Sequence, residues 1–294
     1  MLAYSLSVLG RLQLTQKHLP GIEARPPGQG DDTNKSEYED RATAAHYARQ
    51  SDLQPPEEAV LSLIVDELPE KRMLDIGVGG GRTALHFAKW TKAYVGVDYS
   101  AAMIAECRKR FANYPSRMSF AEADATRLTS FADDSFDFVL FSFNGIDYVP
   151  HADRLEVLNE VHRICRPGGQ FCFSTHNLQA APQLFSPRSQ LSARPGRLVR
   201  RLGKWFLLRF VYNRPWAVKG LLRSGHAVFN DGAERGRFRT YYITPLVQIE
   251  QLDRGFSDIR VFASTDGREL IGEAQLRAAQ DPWLYYLCSV VKQP

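Results

Sequence analysis

The sequence predicts an α/β fold in which helices cover a mostly parallel sheet. Short apolar runs typical of buried strands alternate with segments of helical spacing. The strand-like runs lie near residues 71–76, 93–98, 117–121, 136–142 and 169–175, and the helical segments near 81–90, 100–112 and 152–165. Alternation with short connections is typical of right-handed βαβ units. The first strand breaks into a glycine-rich stretch at 77–81, which predicts a tight turn between a strand and a helix.

Further elements are predicted on both sides of this alternation. Two helical patterns precede the first strand, over residues 38–50 and 56–68, and the second ends before Pro69 because a residue preceding proline disfavours helix. Residues 20–37 contain tandem prolines and show no periodicity, so we expect 1–37 to be a flexible N-terminal lead-in. Near the C-terminus, residues 256–263 and 283–291 have the composition of two more strands.

The glycine-rich turn predicts a nucleotide site. Glycine permits positive φ and lets a ligand approach the backbone, and the free N–H groups at the start of the next helix favour an anionic group. Asp98 ends the second strand, where its carboxylate can accept two hydrogen bonds from a ribose diol. Arg82 stands where the dinucleotide fingerprint has its third glycine, which disfavours a nicotinamide or flavin site.

These residues carry a resemblance to a known family. Residues 73–83, together with Asp98, resemble the first two motifs of the class I S-adenosylmethionine-dependent methyltransferases. Residues 121–125 resemble the third motif, 136–143 the fourth strand and 166–171 the turn into the fifth strand. The resemblance covers residues 38–177 well and 238–292 more loosely.

The resemblance implies a fold, a cofactor and a set of cofactor-binding residues. The implied fold is a Rossmann-like, seven-stranded, mostly parallel sheet whose last strand is antiparallel, and the implied cofactor is S-adenosyl-L-methionine. By the same resemblance the helix before the first strand closes over the cofactor, so Tyr47 is either a lid residue or an aromatic on an amphipathic face. The residues expected at the cofactor are Asp75, Gly77 and Gly79 for its amino-acid portion, Asp98 for its ribose, Asp124 and Ala125 for its adenine, and Ser142.

Candidate catalytic residues follow the fourth and fifth strands, at the carboxyl edge of the sheet where ligands bind in such folds. Asn144 and Tyr148 lie after the fourth strand, and His176 lies after the fifth. A histidine can accept a hydroxyl proton near neutral pH, so we expect His176 to act as the general base. The alternative is that its hydrogen bonds only order the segment that follows. We expect transfer to oxygen, but an amine acceptor can react without a base and stays open.

A basic insertion is predicted between the fifth and sixth strands. Residues 177–240 contain 13 Arg and Lys against two acids, a net charge of +11, whereas the whole chain carries +4. We therefore divide the chain into a cofactor-binding core (38–177), a basic helical cap (178–240) and a C-terminal completion of the sheet (241–294). Phosphorylated, nucleotide-linked or lipid-linked sugars are the acceptors that such a charge favours.

One segment of the cap, residues 197–211, has the pattern of a basic amphipathic helix. Leu198, Leu202, Trp205 and Phe206 fall on one side, while Arg197, Arg201 and Lys204 fall on another. Three interpretations stay open: a cap whose arginines meet a phosphate-bearing acceptor, peripheral contact with a membrane, and a solvated or oligomer-forming insertion.

Composition excludes several other classes of function. No apolar run reaches the ~20 residues of a membrane span, and the first ten residues lack the basic start of a signal peptide, so we expect a cytoplasmic protein with membrane association as an alternative. The four cysteines have no metal-ligand spacing, so we expect no metal. Nucleic acid is disfavoured because no recognisable binding module appears. A non-catalytic scaffold and a dehydrogenase remain alternatives, and the sequence leaves the oligomeric state open.

Overall fold

A central sheet connects every strand in the part of the chain that the structure describes. The structure is a computed structural model and describes residues 38–114, 117–149, 151–188, 191, 195–213, 224–232 and 239–292. The lead-in predicted at 1–37 lies outside the described residues.

The described residues form nine α-helices, nine strands and three short turns of other helical types. In chain order they are α1 (Arg41–Ala48), α2 (Pro55–Ile64), a 3₁₀ turn (Leu68–Glu70), β1 (Arg72–Ile76), α3 (Ala84–Phe87), β2 (Ala93–Asp98), α4 (Ala101–Arg110), β3 (Met118–Glu122), β4 (Phe136–Phe141), a 3₁₀ turn (Gly145–Tyr148), α5 (His151–Ile164), β5 (Cys165–Asn177), α6 (Ala181–Leu184), α7 (Pro195–Phe206), a π-helix (Leu207–Tyr212), β6 (His226–Phe229), β7 (Thr240–Ile243), α8 (Pro245–Leu252), β8 (Phe256–Ala263), α9 (Gly272–Ala278) and β9 (Trp283–Val290).

Seven of the strands form the predicted Rossmann-like sheet. β3, β2, β1, β4 and β5 lie side by side in that order and run parallel to one another. β9 runs antiparallel to β5 on one side and to β8 on the other. The prediction of a mostly parallel sheet whose last strand is antiparallel is therefore confirmed.

The remaining two strands make a hairpin at the carboxyl edge of the sheet. β6 and β7 are antiparallel, and β7 pairs in parallel with β5 at His176 and Asn177. β4 pairs with β5 only as far as Phe173, and β9 occupies the other side of β5 up to His176. The hairpin therefore extends the sheet just beyond the end of β4. The insertion, which the sequence predicted to be helical, therefore contains a strand. In β6 every second side chain, that of Ala227 and that of Phe229, is buried, as expected for a half-buried strand.

The core lies on both faces of β4, a strand in which Asp137 is the one polar residue. Every residue of β4 is buried, as expected for a central strand of a parallel sheet. Phe138 packs on one face with Phe87 of α3, whereas Val139 packs on the other with Val157 of α5. The helices therefore cover both faces, as the alternation predicted.

Two helices differ in extent from the prediction. α3 covers only Ala84–Phe87 rather than 81–90, because the glycine turn extends through Gly81, which has a positive φ. α2 begins at Pro55 and ends at Ile64, and Pro69 lies in a separate 3₁₀ turn. Of the helices described, none combines the length and apolar content required to cross a bilayer.

Candidate active site

The glycine turn after β1 has the backbone that the sequence predicted. Gly77 and Gly79 both have positive φ, +64° and +53°, which disfavours residues with a side chain. A Cβ atom on Gly77 would lie 2.9 Å from the ring of Phe141, so the turn packs closely there. A Cβ atom on Gly79 would meet only the carbonyl oxygen of Gly77, at 4.0 Å. The turn therefore leaves space for a ligand in front of Gly79.

Asp98 lies beside this turn at the end of β2. Its Oδ2 accepts a hydrogen bond from the Gly79 N–H and its Oδ1 accepts one from the Ser100 N–H, each at 2.9 Å. Burial raises the pKa of this carboxyl to about 6, and the two backbone hydrogen bonds oppose the rise. Each oxygen keeps a second lone pair, so the carboxylate can still accept bonds from a diol.

Asp75 is buried beneath the turn and has a largely structural set of contacts. Its Oδ2 accepts hydrogen bonds from the hydroxyls of Thr83 and Tyr94. Burial raises the pKa of Asp75 to about 7. Its Oδ1 is buried without a hydrogen-bond partner among the described residues. That oxygen is available to a donor such as the ammonium group of an amino acid.

The other predicted cofactor residues line the same edge. The N–H of Ala123 donates to the carbonyl of Asp98, so the chain leading into Asp124 and Ala125 is held next to the end of β2. Asp124 is exposed, and its Oδ1 accepts from the N–H and the hydroxyl of Thr126 at 2.9 and 2.8 Å. Ser142 is buried at the end of β4 and accepts from Arg82 Nη2 at 3.4 Å.

Helix α1 covers the glycine turn. A Cβ atom on Gly80 would lie 2.3 Å from the backbone nitrogen of Ala48, so this helix touches the turn directly. The hydroxyl of Ser100 donates to the carbonyl of Tyr38 at 2.8 Å. Tyr38 in turn packs edge-on against Tyr47 and Tyr148, with ring centroids 6.0 and 6.5 Å apart. The aromatic rings of Tyr47 and Tyr148 therefore meet through Tyr38 above the predicted cofactor site.

A small cavity opens next to Arg82, at the carboxyl ends of β1 and β4. Its volume is about 280 Å³, and residues 49–52, Gln54, Arg82 and Phe143 line it. Arg82 donates through both terminal nitrogens to the carboxylate of Glu57, whose side chain is fully buried. This buried ion pair fixes α2 to the glycine turn and explains why an arginine rather than a third glycine occupies this position.

The backbone immediately after β4 adopts an uncommon conformation. Phe143 and Asn144 both have positive φ, 55° and 60°, although neither is glycine. The N–H of Asn144 donates to Ser174 Oγ at 2.7 Å, which holds this turn against β5. The Oδ1 of Asn144 is buried and has no hydrogen-bond partner in the part of the chain that the structure describes. Strain of this kind persists where surrounding contacts enforce it, and it is concentrated at functional sites.

His176 lies opposite this turn at the end of β5, in a defined orientation. Asp147 Oδ2 accepts from the backbone N–H of His176 at 2.7 Å and lies 2.8 Å from its Nδ1. A carboxylate can only accept hydrogen bonds, so Nδ1 carries the proton and Nε2 is left as the acceptor. Nε2 lies 3.4 Å from Asn144 Nδ2, and the imidazole ring packs on Tyr242 with centroids 4.8 Å apart.

Asp147 and Arg154 are candidate site residues that the sequence did not identify. Asp147 Oδ1 accepts from Arg154 Nη1 at 2.7 Å and from the hydroxyl of Thr175 at 2.6 Å. Both members of this ion pair are fully buried, and Arg154 also donates to Gln248 Oε1 at 2.6 Å. The available signal was an acid within the otherwise apolar stretch after Asn144, but the partners of that acid come from α5 and β5.

Comparison with known proteins assigns this architecture to a family. The sequence model of a family described as a methyltransferase domain matches residues 73–169, which run from β1 into β5. Residues 73–169 therefore carry a methyltransferase domain, of the class I type that the sequence motifs resemble. The cofactor of this class is S-adenosyl-L-methionine, and the segment matched contains the glycine turn, Asp98 and Asn144.

Curated relatives are similar to about one third of the chain. The ubiquinone/menaquinone biosynthesis C-methyltransferase of Geotalea daltonii is 36% identical over 107 residues, covering 35% of this chain and 44% of the relative. The demethylmenaquinone methyltransferase of Beutenbergia cavernae is 38% identical over 102 residues, covering 35% of this chain and 39% of the relative. The matches thus span less than half the length of these relatives.

Solved structures share the fold over most of the chain. The 1,6-didemethyltoxoflavin-N1-methyltransferase of Burkholderia thailandensis, solved with 1,6-didemethyltoxoflavin and S-adenosylhomocysteine, has a TM-score of 0.56 at 13% identity and covers 92% of this chain and 94% of its own. An S-adenosylmethionine-dependent methyltransferase of Mesorhizobium loti has a TM-score of 0.52 at 19% identity and covers 80% of this chain and 97% of its own. At these identities the likeness shows the fold alone.

The residues of the methyltransferase domain fit the cofactor chemically. The open space at Gly79, the unpartnered Oδ1 of Asp75 and the free lone pairs of Asp98 offer a backbone cradle, an acceptor for an ammonium group and acceptors for a diol. Within the described residues, no group of three or more His, Cys, Asp or Glu side chains is placed to hold a metal ion.

Proposed function

We propose that the protein transfers a methyl group from S-adenosyl-L-methionine to a hydroxyl group, with His176 as the general base. The observation that carries this proposal is the pairing of Asp147 with Nδ1 of His176 at 2.8 Å, which leaves Nε2 as a proton acceptor at the carboxyl edge of the sheet. A base is required for a hydroxyl acceptor, which must lose its proton, and an already neutral amine does not need one.

The chain's own residues perform three tasks in this mechanism. When bound, the cofactor supplies an electrophilic methyl group, so catalysis depends mainly on positioning the acceptor. Asp75, Gly79 and Asp98 hold the cofactor, and the amide of Asn144 orients the acceptor. His176 Nε2 takes the hydroxyl proton, and Asp147 stabilises the imidazolium that results.

For the acceptor, we propose a small or medium-sized molecule bearing a phosphate, with lipid-linked molecules such as lipid-linked sugars as the first choice. The support is the basic cap, in which Arg197, Arg200 and Arg201 are all exposed. Reversing the charge of these three arginines should weaken acceptor binding and leave the cofactor affinity unchanged. Weaker cofactor binding with unchanged acceptor binding would reject this part of the proposal.

A second candidate is methylation of a ring carbon in a quinol. Curated relatives named as quinone-biosynthesis methyltransferases favour it, although each match covers only 35% of this chain. The same base would serve, because removing a phenolic proton makes the neighbouring ring carbon nucleophilic. The two candidates differ in their product, which carries an oxygen-bound or a carbon-bound methyl group.

The test is a labelled-methyl assay against cell extract and lipid extract, followed by nuclear magnetic resonance of the labelled product. The chemical shift of the methyl group distinguishes attachment to oxygen, carbon or nitrogen. His176→Ala should lower turnover by about 10²-fold or more. His162→Ala is the matched control, because His162 is a half-buried histidine outside the candidate site that contacts the carbonyl of Val291 instead.

Three outcomes would contradict the proposal at different levels. Normal turnover of His176→Ala would remove the base assignment, and an N-methylated product would favour an amine acceptor. Binding of the cofactor without any methyl transfer would indicate a non-catalytic scaffold.

A further inference from the structure

The cap presents an apolar stripe on its outer side. Val199, Leu202, Phe206 and Phe210 recur at intervals of three or four residues along α7 and the π-helix, which places them on one face. All four are exposed, Val199 to 71%, Phe206 to 54% and Phe210 to 50%. The rings of Phe206 and Phe210 lie next to each other, with centroids 5.1 Å apart. Val211, 60% exposed, continues the stripe.

The other side of the same segment is anchored to the protein. The indole N–H of Trp205 donates to the carbonyl of Phe185 at 2.9 Å, and Leu208 is buried. Asn213, at the end of the π-helix, donates to the carbonyls of Leu208 and Asn230 at 2.9 and 2.7 Å. The sequence placed Trp205 and Phe206 on one apolar face, but the structure turns Trp205 inward and Phe206 outward. The exposed stripe is therefore held outward on a fixed support.

Positive charge flanks the stripe. Arg197, Arg200, Arg201 and Lys204 are all exposed on α7. Residues 195–213 contain five Arg and Lys and no Asp or Glu. An exposed face that joins aromatic and aliphatic side chains to a row of cations, without any acid, complements a surface that is apolar inside and negatively charged outside.

We propose that α7 and the π-helix bind in the plane of an anionic lipid bilayer. Phe206, Phe210 and Val211 insert at the boundary between headgroups and acyl chains, and the arginines of α7 contact lipid phosphates. A second copy of the chain does not complement this face, because the cations of the two copies would oppose each other. The inference does not depend on methyl transfer, since the binding surface lies outside the cofactor site.

The binding surface shares a support with the candidate base. Asn230 and Gly232 follow β6, and they contact Asn213 of this segment and the side chains of Lys204 and Leu208. Phe229 at the end of β6 stacks on Tyr242 with centroids 4.3 Å apart, and Tyr242 packs on His176. The segment that would bind the bilayer therefore rests on the same hairpin that supports His176.

The experiment is flotation of the purified full chain with vesicles of phosphatidylcholine alone or with about one third phosphatidylglycerol. We expect binding to the anionic vesicles only, and weaker binding when salt is raised from about 0.1 M to about 0.5 M. The double variant Phe206→Ser, Phe210→Ser should lower vesicle affinity about tenfold or more. The triple variant Arg197→Gln, Arg200→Gln, Arg201→Gln should lower it to a similar extent.

Ile271→Ser is the matched control, because Ile271 is 72% exposed but lies at the start of α9, outside the cap. This variant should bind vesicles as the unchanged chain does. Inorganic phosphate at millimolar concentration should not compete with the vesicles, which separates a lipid surface from a free phosphate ligand. Equal affinity of the phenylalanine variant and the unchanged chain would overturn the proposal. A second result would also overturn it. In that result the unchanged chain is a stable dimer, the phenylalanine variant is a monomer, and neither protein floats with vesicles.

Discussion

The two carboxylate oxygens of Asp147 bind different partners, a structural arginine and the candidate base. Oδ1 neutralises the fully buried Arg154, and Oδ2 orients His176. A buried arginine without its anionic partner is costly, so the ion pair holds Asp147 in place. The orientation of the candidate base therefore depends on a residue that need not touch the acceptor.

Asp147→Asn tests this double role. Because it leaves Arg154 without a counter-charge, we expect it to lower the free energy of unfolding by about 3–5 kcal/mol. Adding Arg154→Met should restore much of that stability. Turnover in both variants should stay at least about 10²-fold below that of the unchanged chain, because an amide does not fix the tautomer of His176 as a carboxylate does. Urea unfolding and turnover are measured in parallel, and recovery of activity in the stable double variant would contradict a positioning role.

Asp98 predicts a pH dependence of cofactor affinity. Burial raises its pKa to about 6, and ribose hydroxyls need an ionised acceptor for strong hydrogen bonds. Affinity should therefore fall as the pH drops below about 6. In Asp98→Asn the affinity should be lower at neutral pH and should lose most of this dependence. Titration calorimetry with S-adenosylhomocysteine at several pH values provides the measurement, and an unchanged pH profile in the variant would argue against the assignment.

Helix α1 is the element that covers the cofactor site, and close backbone contact positions it. Gly80 is the contact point, since a Cβ atom there would lie 2.3 Å from the nitrogen of Ala48. Arg110 reinforces the contact by donating to the carbonyls of Gly80 and Gln50 at 2.8 and 3.0 Å. The helix is therefore attached to the glycine turn on two sides.

Gly80→Ala should separate α1 from the turn. The added methyl group clashes with backbone, which cannot move aside as a flexible side chain can. We expect faster hydrogen exchange in residues 41–48 and about tenfold weaker cofactor binding. Gly203→Ala is the control, because a Cβ atom there would meet nothing within 4 Å. Unchanged exchange in α1 would show that the helix is not held by this contact.

The elements that the sequence predicted best are those whose pattern is local. The mostly apolar run of β4 and the glycine turn after β1 each carry their own signal, and the sequence identifies both. The hairpin was not identified, because β6 has only four residues and the hairpin joins the sheet through β7, which pairs with β5 far away in the chain. The partnership of Asp147 and His176 was missed for the same reason: it depends on packing between elements.

At the scale of the whole molecule, two buried carboxyls under the glycine turn couple stability to pH. The pKa of Asp75 is raised to about 7 and that of Asp98 to about 6, both chiefly by burial. A carboxyl whose pKa is higher in the folded state binds more protons there than in the unfolded state. Its contribution to stability is therefore present below the unfolded pKa of about 4 and is lost as the pH rises through the folded value.

We expect the free energy of unfolding to decrease as the pH rises toward neutral. Between pH 5 and pH 7.5 the contribution of Asp75 should fall by about 2 kcal/mol. Asp75→Asn keeps an acceptor for Thr83 and Tyr94 but cannot titrate, so its stability should vary less over the same range. Urea unfolding of both proteins at the two pH values gives the comparison. Parallel pH profiles would contradict a raised pKa of Asp75 as a source of the pH dependence.

The central claim is that the glycine turn and Asp98 form an S-adenosylmethionine site, and isothermal titration calorimetry of the full chain tests it most directly. We expect saturable binding of S-adenosylmethionine and S-adenosylhomocysteine at neutral pH, and no binding of nicotinamide dinucleotides. Asp98→Ala should weaken the binding by about tenfold or more. Folded protein that gives no heat of binding with either sulfur nucleoside would contradict the account.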